Sequence, residues 1–374
     1  MKIGIVGAGI SGVTTAYYLS KHNVEIDLIE SRRYPAMATS YANGGQLSAS
    51  NSTAWNSWSN ILTGLKGLVE RDSPVLINPS VSIEKLAWIF NFIKNIKNKD
   101  EITVQICRMA KESVMLYKEI AVNENINFDL LEKGILHFYH SEKETNKAFL
   151  INKLYKSAGL DRQQITHEEL YKIEPSLKGK KFHSIFYTAS DKTGDIHKFC
   201  NNLINKLCKE KKLNLVSSEV YQLNDILCNY DKIVVCAGVN SKRLAKTIGD
   251  MLQIYPVKGY SITINNPGKC APHVSLLDDK QKIVTSRLGN RLRIAGTAEF
   301  NGYNLDIIQR RIRPLIKWST EMFPEINTHD IKPWAGLRPM TPNMLPIVCK
   351  SKINSRVWYN TGHGHLGWTL SAFT

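Results

Sequence analysis

The apolar positions open with a short unbroken run, Ile3-Gly-Ile-Val6, which reads as a buried parallel strand. It breaks at Gly7-Ala-Gly9-Ile-Ser-Gly12, resumes as an apolar stretch to Leu19, and returns as Val24-Glu-Ile-Asp-Leu-Ile29 before Glu30. The unit is strand, glycine turn, helix, strand, acid. The final block, Trp358-Tyr-Asn-Thr-Gly-His-Gly-His-Leu-Gly-Trp368, is again a strand running into a glycine-rich turn. Between these ends, residues 55 to 125 read as helical and apolar on one face. Within them, Ser82 to Lys99 sets Leu86, Ile89, Phe90, Ile93 and Ile96 near helical spacing, fringed by Lys85, Lys94, Lys97 and Lys99. That stripe reads as core-facing, with a membrane-interface helix as the alternative. Gly134 to Tyr139 is expected as a strand and Ala148 to Gly159 as a helix. A helix from His197 to Lys211 precedes strands at Asn214 to Gln222 and Asp231 to Gly238, which rejoin the first unit. Tyr255 to Ile264, Lys282 to Ser286 and Arg291 to Glu299 alternate and predict an antiparallel sheet, followed by a helix from Asp306 to Met322.

The glycines have separable uses. Gly7 permits a tight turn, Gly9 lets backbone reach a pyrophosphate, and Gly12 allows close helix–strand packing. The pyrophosphate would sit on the free N–H groups and positive dipole end of the helix starting near Ile10. Glu30 stands where such a unit holds a ribose hydroxyl. A chain that returns to its nucleotide fold only at its far end points to a flavin rather than a loosely held nicotinamide. The polar stretch Ala38 to Ser48, rich in small residues, offers backbone and hydroxyls to a ligand, or is a plain surface loop.

Length and composition narrow the classes. A chain of 374 residues exceeds the usual single core, so two intertwined domains are expected. No apolar run is long enough to span a bilayer, and the first apolar run is already the nucleotide-binding strand, not a secretory signal. Seven cysteines without CxxC pairing argue for reduced thiols in a cytoplasmic protein and against a metal site. A net charge of +16 favours anionic partners or reflects a lysine-rich coding bias. No basic-aromatic stripe of a nucleic-acid module accompanies it.

With these pieces in place, the chain resembles the FAD-dependent D-amino-acid oxidase superfamily. Within it, the resemblance is strongest to the small subunits of bacterial D-amino-acid dehydrogenases, along essentially the whole length. The marks are Ser40-Tyr-Ala-Asn-Gly-Gly-Gln-Leu-Ser48, Thr193-Gly-Asp195, Tyr255-Pro-Val-Lys-Gly-Tyr-Ser-Ile-Thr263, Gly336-Leu-Arg-Pro-Met-Thr-Pro342 and Asn360-Thr-Gly-His-Gly-His-Leu-Gly-Trp-Thr369. The resemblance implies an α/β fold: a discontinuous Rossmann-like FAD-binding domain (1–50, 170–245, 330–374) and an α+β substrate domain on an antiparallel sheet (51–169, 246–329). It implies that Ile3, Gly7, Gly9, Ile10, Ser11, Gly12, Glu30, Ser31 and Arg32 hold the AMP half of FAD. Ser40, Asn43, Gly45, Gln46 and Leu47 would line its pyrophosphate and ring, and Val220, Ala237 and Gly238 would flank the adenosine. Gly362, Gly364, His365, Leu366, Gly367, Trp368 and Thr369 would approach the pyrimidine edge. Gly336 stands near where some relatives tether their flavin through cysteine, so the FAD is expected to be non-covalent.

The implied reaction moves hydride from an amino acid's Cα to flavin N5, and water then releases a 2-oxo acid and ammonia. The cofactor carries the difficult step, so the protein must orient substrate and tune charge. A planar guanidinium grips a carboxylate bidentately, so Arg338 is the expected substrate anchor. Tyr260 and His363 are expected to shape substrate hydrogen bonding and cavity polarity, and Lys258 to face the flavin. The expected substrate is a small D-amino acid such as D-alanine. The expected acceptor is a quinone or another membrane acceptor, reached by peripheral contact at the inner face of the cytoplasmic membrane. An oxygen-using glycine or sarcosine oxidase is the alternative. The pattern departs at Asn343-Met344, where an Asp-Gly turn is expected, and at Cys349, where a glycine is. Relatives also continue past the position of Thr374 into a long helix; a turn or two of helix is not stable alone, since isolated helices need about 12–15 residues. A truncated, non-catalytic relic is therefore the alternative of another class. The oligomeric state is open.

Overall fold

The computed structural model describes residues 1–66, 75–79 and 82–374. Two sheets carry the fold. The first has six strands in the order Ile347–Lys350, Val357–Thr361, Lys232–Val235, Lys2–Val6, Glu25–Glu30, Asn214–Ser217. All neighbours run parallel except the outer Ile347–Lys350. Ile5, Leu28, Ile233 and Val235 are fully buried, because helices cover both faces of such a sheet, and this is why its strands read as continuous apolar runs. On one face the helices Ile10–Leu19 and Ile196–Lys209 bring Val13, Ala16 and Tyr17 against Phe199 and Leu203. On the other, Leu223, Tyr230 and Leu244 pack on Val6, Ile29 and Val235. Asp195 caps the second helix, accepting from the N–H groups of His197 (2.9 Å) and Lys198 (3.1 Å).

The second sheet runs Ile331–Met340, Tyr255–Asn265, Arg291–Phe300, Ile283–Leu288, Ser275–Asp278, Ile135–Tyr139, Ser184–Thr188, Gln163–Ile165, with Val75–Ile77 beside the end of Arg291–Phe300. The helix Gln309–Met322 seals one face, packing Ile312, Leu315 and Trp318 on Tyr260, Ile262, Ile264 and Ile294. The other face borders the cavity described below.

Several expectations need correction. The second sheet is not purely antiparallel: Ser275–Asp278 runs parallel to Ile135–Tyr139, and Val75–Ile77 parallel to Arg291–Phe300. Ser184–Thr188 and Ile331–Met340, expected with the FAD-binding domain, are strands of this sheet, because their pairing partners are Ile135–Tyr139 and Tyr255–Asn265. The helical stretch 55–125 contains the strand Val75–Ile77, and its residues 67–74 and 80–81 lie outside the described ones. The helix expected from Ala148 begins at Glu142, where the Ser141 hydroxyl caps the Glu144 N–H. In the helix Ile83–Lys94 the apolar stripe is split: Ile89 packs on the core, but Leu86 and Phe90 are 54% and 60% exposed. Trp88 and Phe92 turn inward instead, stacked 5.2 Å apart, with the Trp88 indole N–H donating to the Met340 carbonyl at 2.9 Å. A larger aromatic pair buries more apolar area than the stripe would and sets the rotation of the helix.

Candidate active site

One continuous cavity of about 920 Å³ runs from the carboxyl end of Lys2–Val6 to the second sheet. At its first end, Gly7 has φ +105°, and a Cβ on Gly12 would lie 1.9 Å from the Gly7 carbonyl oxygen. That contact is what brings the start of the helix Ile10–Leu19 hard against the strand. The helix has no side-chain cap at Gly9. The Ile10 N–H donates to Ser40 Oγ at 3.1 Å, and the next first-turn N–H groups, of Ser11 and Gly12, have no intrahelical partner. The Glu30 carboxylate is held at the strand end by the N–H groups of Ala8 and Arg32, both at 2.9 Å. Such an arrangement can cradle an anion, with an acid beside it.

The middle of the cavity is a loop stitched to the second sheet. Ser261 donates to the Ala42 carbonyl (2.7 Å), Arg293 to that of Asn43 (2.9 Å) and Ser286 to that of Gly44 (2.6 Å). Gln46 Nε2 reaches the Leu276 carbonyl at 3.0 Å. Asn43, Gly45, Gln46, Ser40, Ser31, Val220, Ala237, Gly238, Gly364, His365, Leu366, Gly367, Trp368 and Thr369 all line this one space with Gly7, Gly9, Ile10, Ser11, Glu30 and Arg32. Ile3, Gly12, Leu47 and Gly362 do not. Ile3 and Leu47 are core side chains, since a ligand at this kind of sheet meets the strand ends rather than their middles. Gly12 and Gly362 act through backbone packing, Gly362 at φ +76°.

At the far end, Trp334, Gly336 and Arg338 alternate along one strand, and all three line the cavity. The Trp334 ring lies over Gly336, and the Arg338 guanidinium lies over Gly259, whose Cβ would meet Nη2 at 2.3 Å. Arg338 Nη1 donates to the Thr297 carbonyl at 2.8 Å. No acidic side chain pairs with it among the described residues, and burial pulls its pKa down to about 10. A guanidinium held out of water in this way can take a carboxylate partner. His365 stacks on Trp55 at 4.5 Å. Burial first, and then the Arg338 charge, lower its pKa to about 3. His363 is also buried and neutral, lowered by burial to about 4, with Nε2 2.9 Å from Thr374 Oγ1.

Lys258 and Tyr260 are placed differently. Lys258 is fully buried, its Nζ 3.2 Å from the Glu299 carboxylate and 3.0 Å from Asn304 Oδ1, and it does not line the cavity. The Tyr260 hydroxyl donates to Glu299 at 2.8 Å, and burial and then Glu299 raise its pKa. A register shift between these two residues brings both heads to Glu299; Tyr260 still lines the cavity with Gly259 and Ser261, whereas Lys258 does not.

An extended nucleotide would fit this arrangement: an acid and free N–H groups at one end, a stitched loop along the middle, and a guanidinium at the other. Residues 2–374 match the family described as FAD dependent oxidoreductase, DAO. The chain belongs to the DAO family of FAD-dependent oxidoreductases. Among DAO members, it is 48% identical to D-amino acid dehydrogenase 3 of Mesorhizobium japonicum, over 100% of this chain and 95% of that one. It is 32% identical to the D-amino acid dehydrogenase of Dechloromonas aromatica, over 99% and 94%. In fold it is similar to glycine oxidase from Bacillus cereus, with TM-score 0.75 at 17% identity over 100% of this chain and 92% of that one. L-proline dehydrogenase from P. horikoshii gives TM-score 0.72 at 18% identity, over 99% and 90%.

Sequence reasoning missed Trp55, Trp334, His137 and the Thr297 carbonyl, all at the cavity wall. For His137 a signal existed: it is the polar residue inside the apolar run Ile135-Leu-His-Phe-Tyr139. A backbone carbonyl such as that of Thr297 leaves no such trace.

Proposed function

We propose that the protein is an FAD-dependent D-amino-acid dehydrogenase that oxidises D-amino acids with uncharged side chains, D-alanine among them, to 2-oxo acids and ammonia. The observation that carries this reading is the Arg338 guanidinium, facing the cavity without an acidic partner among the described residues. FAD, when bound, would supply the hydride acceptor for the substrate Cα. The protein's part is orientation: Arg338 grips the carboxylate bidentately, and the apolar wall of Trp55, Trp88, Phe92, Phe300 and Trp334 receives the side chain. His363 and His365 stay neutral and add no charge against the ammonium group. FAD is held without a covalent bond. Cys236 borders the nucleotide end, and there burial pushes its thiol pKa up to about 12, away from the reactive thiolate.

The electron acceptor this reading assigns is a membrane quinone. Support comes from Trp58, Leu62 and Leu65 on the helix Trp58–Lys66 and from Ile83, Leu86 and Phe90 on Ile83–Lys94, all at least 51% exposed. Both helices border the cavity, and no helix among the described residues is long and apolar enough to cross a membrane. Such a face suits interfacial contact. Phe90→Glu should weaken flotation with anionic vesicles; unchanged flotation would remove this part of the reading.

The test of function is the anaerobic absorption spectrum of the FAD-loaded protein. Bleaching by D-alanine and not by L-alanine is expected, with little hydrogen peroxide when air is admitted. Bleaching by glycine or sarcosine with rapid peroxide formation would favour the oxidase. No bleaching by any D-amino acid would overturn the proposal.

A further inference from the structure

We propose that His137, Ser50 and Asp191 form a proton relay leading from the cavity to a carboxylate buried behind its wall. The inference rests on the function proposed above for its substrate, but its geometry stands alone. Ser50 lies on the short turn Ala49–Asn51, and His137 in the middle of Ile135–Tyr139; both line the cavity. Asp191 does not. All three are at most 3% exposed. Asp191 accepts from Ser48 Oγ (3.1 Å), the Ala49 N–H (2.8 Å), the Ser50 N–H (3.2 Å) and Ser50 Oγ (2.5 Å). Ser50 Oγ is in turn 2.7 Å from His137 Nε2.

Donor counting fixes the direction. An ionised carboxylate only accepts, so the single Ser50 hydroxyl proton points to Asp191. Ser50 Oγ must then accept from His137 Nε2–H. Burial and the Arg162 guanidinium hold the imidazole neutral, which leaves Nδ1 bare. Nδ1 has no partner among the described residues.

An amino acid's ammonium group must lose a proton before hydride can leave its Cα. In the relay, one ammonium N–H bond breaks and its proton bonds to His137 Nδ1. The Nε2 proton passes to Ser50 Oγ, and the Ser50 hydroxyl proton to Asp191 Oδ2. The substrate loses one proton and the relay gains one, the lone pair stays on the amine nitrogen, and no electrons are exchanged. The imidazole ends neutral with its tautomer reversed. Burial, against four donors, raises the Asp191 pKa to about 6, so at neutral pH the carboxylate is ionised and free to accept the proton, and gives it up again after each turnover. The other titratable groups nearby are the Cys107 thiol, raised by burial to about 11, and Tyr155, whose hydroxyl donates to the Ser50 carbonyl at 2.9 Å.

The test is ¹⁵N NMR of the FAD-loaded full chain, with the His137 signal assigned by its loss in His137→Gln. The Nε2–H tautomer is expected at pH 7.5, switching to Nδ1–H below about pH 6 as Asp191 takes up its proton. Asp191→Asn should abolish the switch and slow anaerobic flavin reduction by D-alanine about a hundredfold, with flavin content retained. Should Asp191→Asn not fold, Ser50→Ala cuts the same link and must also abolish the switch. A tautomer constant from pH 5 to 8 in the unaltered protein, or a switch surviving these variants, overturns the relay. If D-alanine leaves the flavin oxidised while the switch is present, the functional reading fails and the relay stands.

Discussion

Replacing Arg338 by methionine should separate activity from stability in opposite directions. The side chain keeps its length and loses its charge. Truncating one partner of a buried, hydrogen-bonded charge pair costs about 2–5 kcal/mol. At about 1.4 kcal/mol per decade, kcat/KM for D-alanine should fall by roughly 30-fold to 5,000-fold. The folded protein alone gains instead. A guanidinium whose pKa burial lowers to about 10 destabilises the fold by at most about 3 kcal/mol, because it is charged at pH 7 in both folded and unfolded chains but less well solvated when folded. Against that, the Thr297 carbonyl loses its 2.8 Å donor, about 1–2 kcal/mol. The melting temperature should therefore hold or rise slightly. The assay pairs anaerobic flavin-reduction kinetics with thermal unfolding of the FAD-loaded protein. A variant with kcat/KM within threefold of the parent, or one that melts well below it, would refute the argument.

Three further outcomes follow from the same geometry. Gly259→Ala puts a Cβ 2.3 Å from Arg338 Nη2; the flexible guanidinium moves aside, so KM should rise roughly tenfold to hundredfold while flavin content, read from absorbance, stays the same. His363 and His365, with pKa values lowered to about 4 and 3, carry no charge above pH 5. Affinity for propionate, a simple carboxylate probe, should accordingly be flat from pH 6.5 to 8 by calorimetry, above the titration of the probe itself and of Asp191, and weakening over that range would show a charged histidine in the site. Met344 sits at φ +62° yet is 4% exposed. Met344→Gly relieves about 1–2 kcal/mol of strain and forfeits about 2–5 kcal/mol of burial, so denaturant unfolding should show a net loss of up to about 4 kcal/mol. A gain would mean that strain dominates there.

The nucleotide end was legible because its signals are local. The strand, glycine turn and Glu30 fall within a single βαβ unit, and parallel strands buried on both faces read as unbroken apolar runs. The strand Ile331–Met340 was not legible as one, since it carries Pro333, Gly336 and Pro339. It tolerates them because it is the sheet's edge, where a missing N–H breaks no ladder. Hidden with it was the alternation that sets Trp334 and Arg338 on one face. Lys258 was misplaced for a related reason: a register shift inside Tyr255–Asn265 decides which face each residue meets, and nothing in the residue types announces it. The inward rotation of Trp88 and Phe92 depended on what helix Ile83–Lys94 packs against, which periodicity alone does not contain.

The strand order of the first sheet also bears on how the protein is made. Lys232–Val235 lies between Lys2–Val6, synthesised first, and Val357–Thr361, synthesised some 120 residues after it. At roughly 5–20 residues per second, the nascent chain carries an open, apolar, parallel edge for about 6–24 s before its own neighbour arrives. The competitor during that interval is any other strand the cell presents, including the same strand on the next chain of a polysome. Yield in the cell should therefore depend on translation speed across 236–356 and on chaperone supply, more than on the stability of the finished fold.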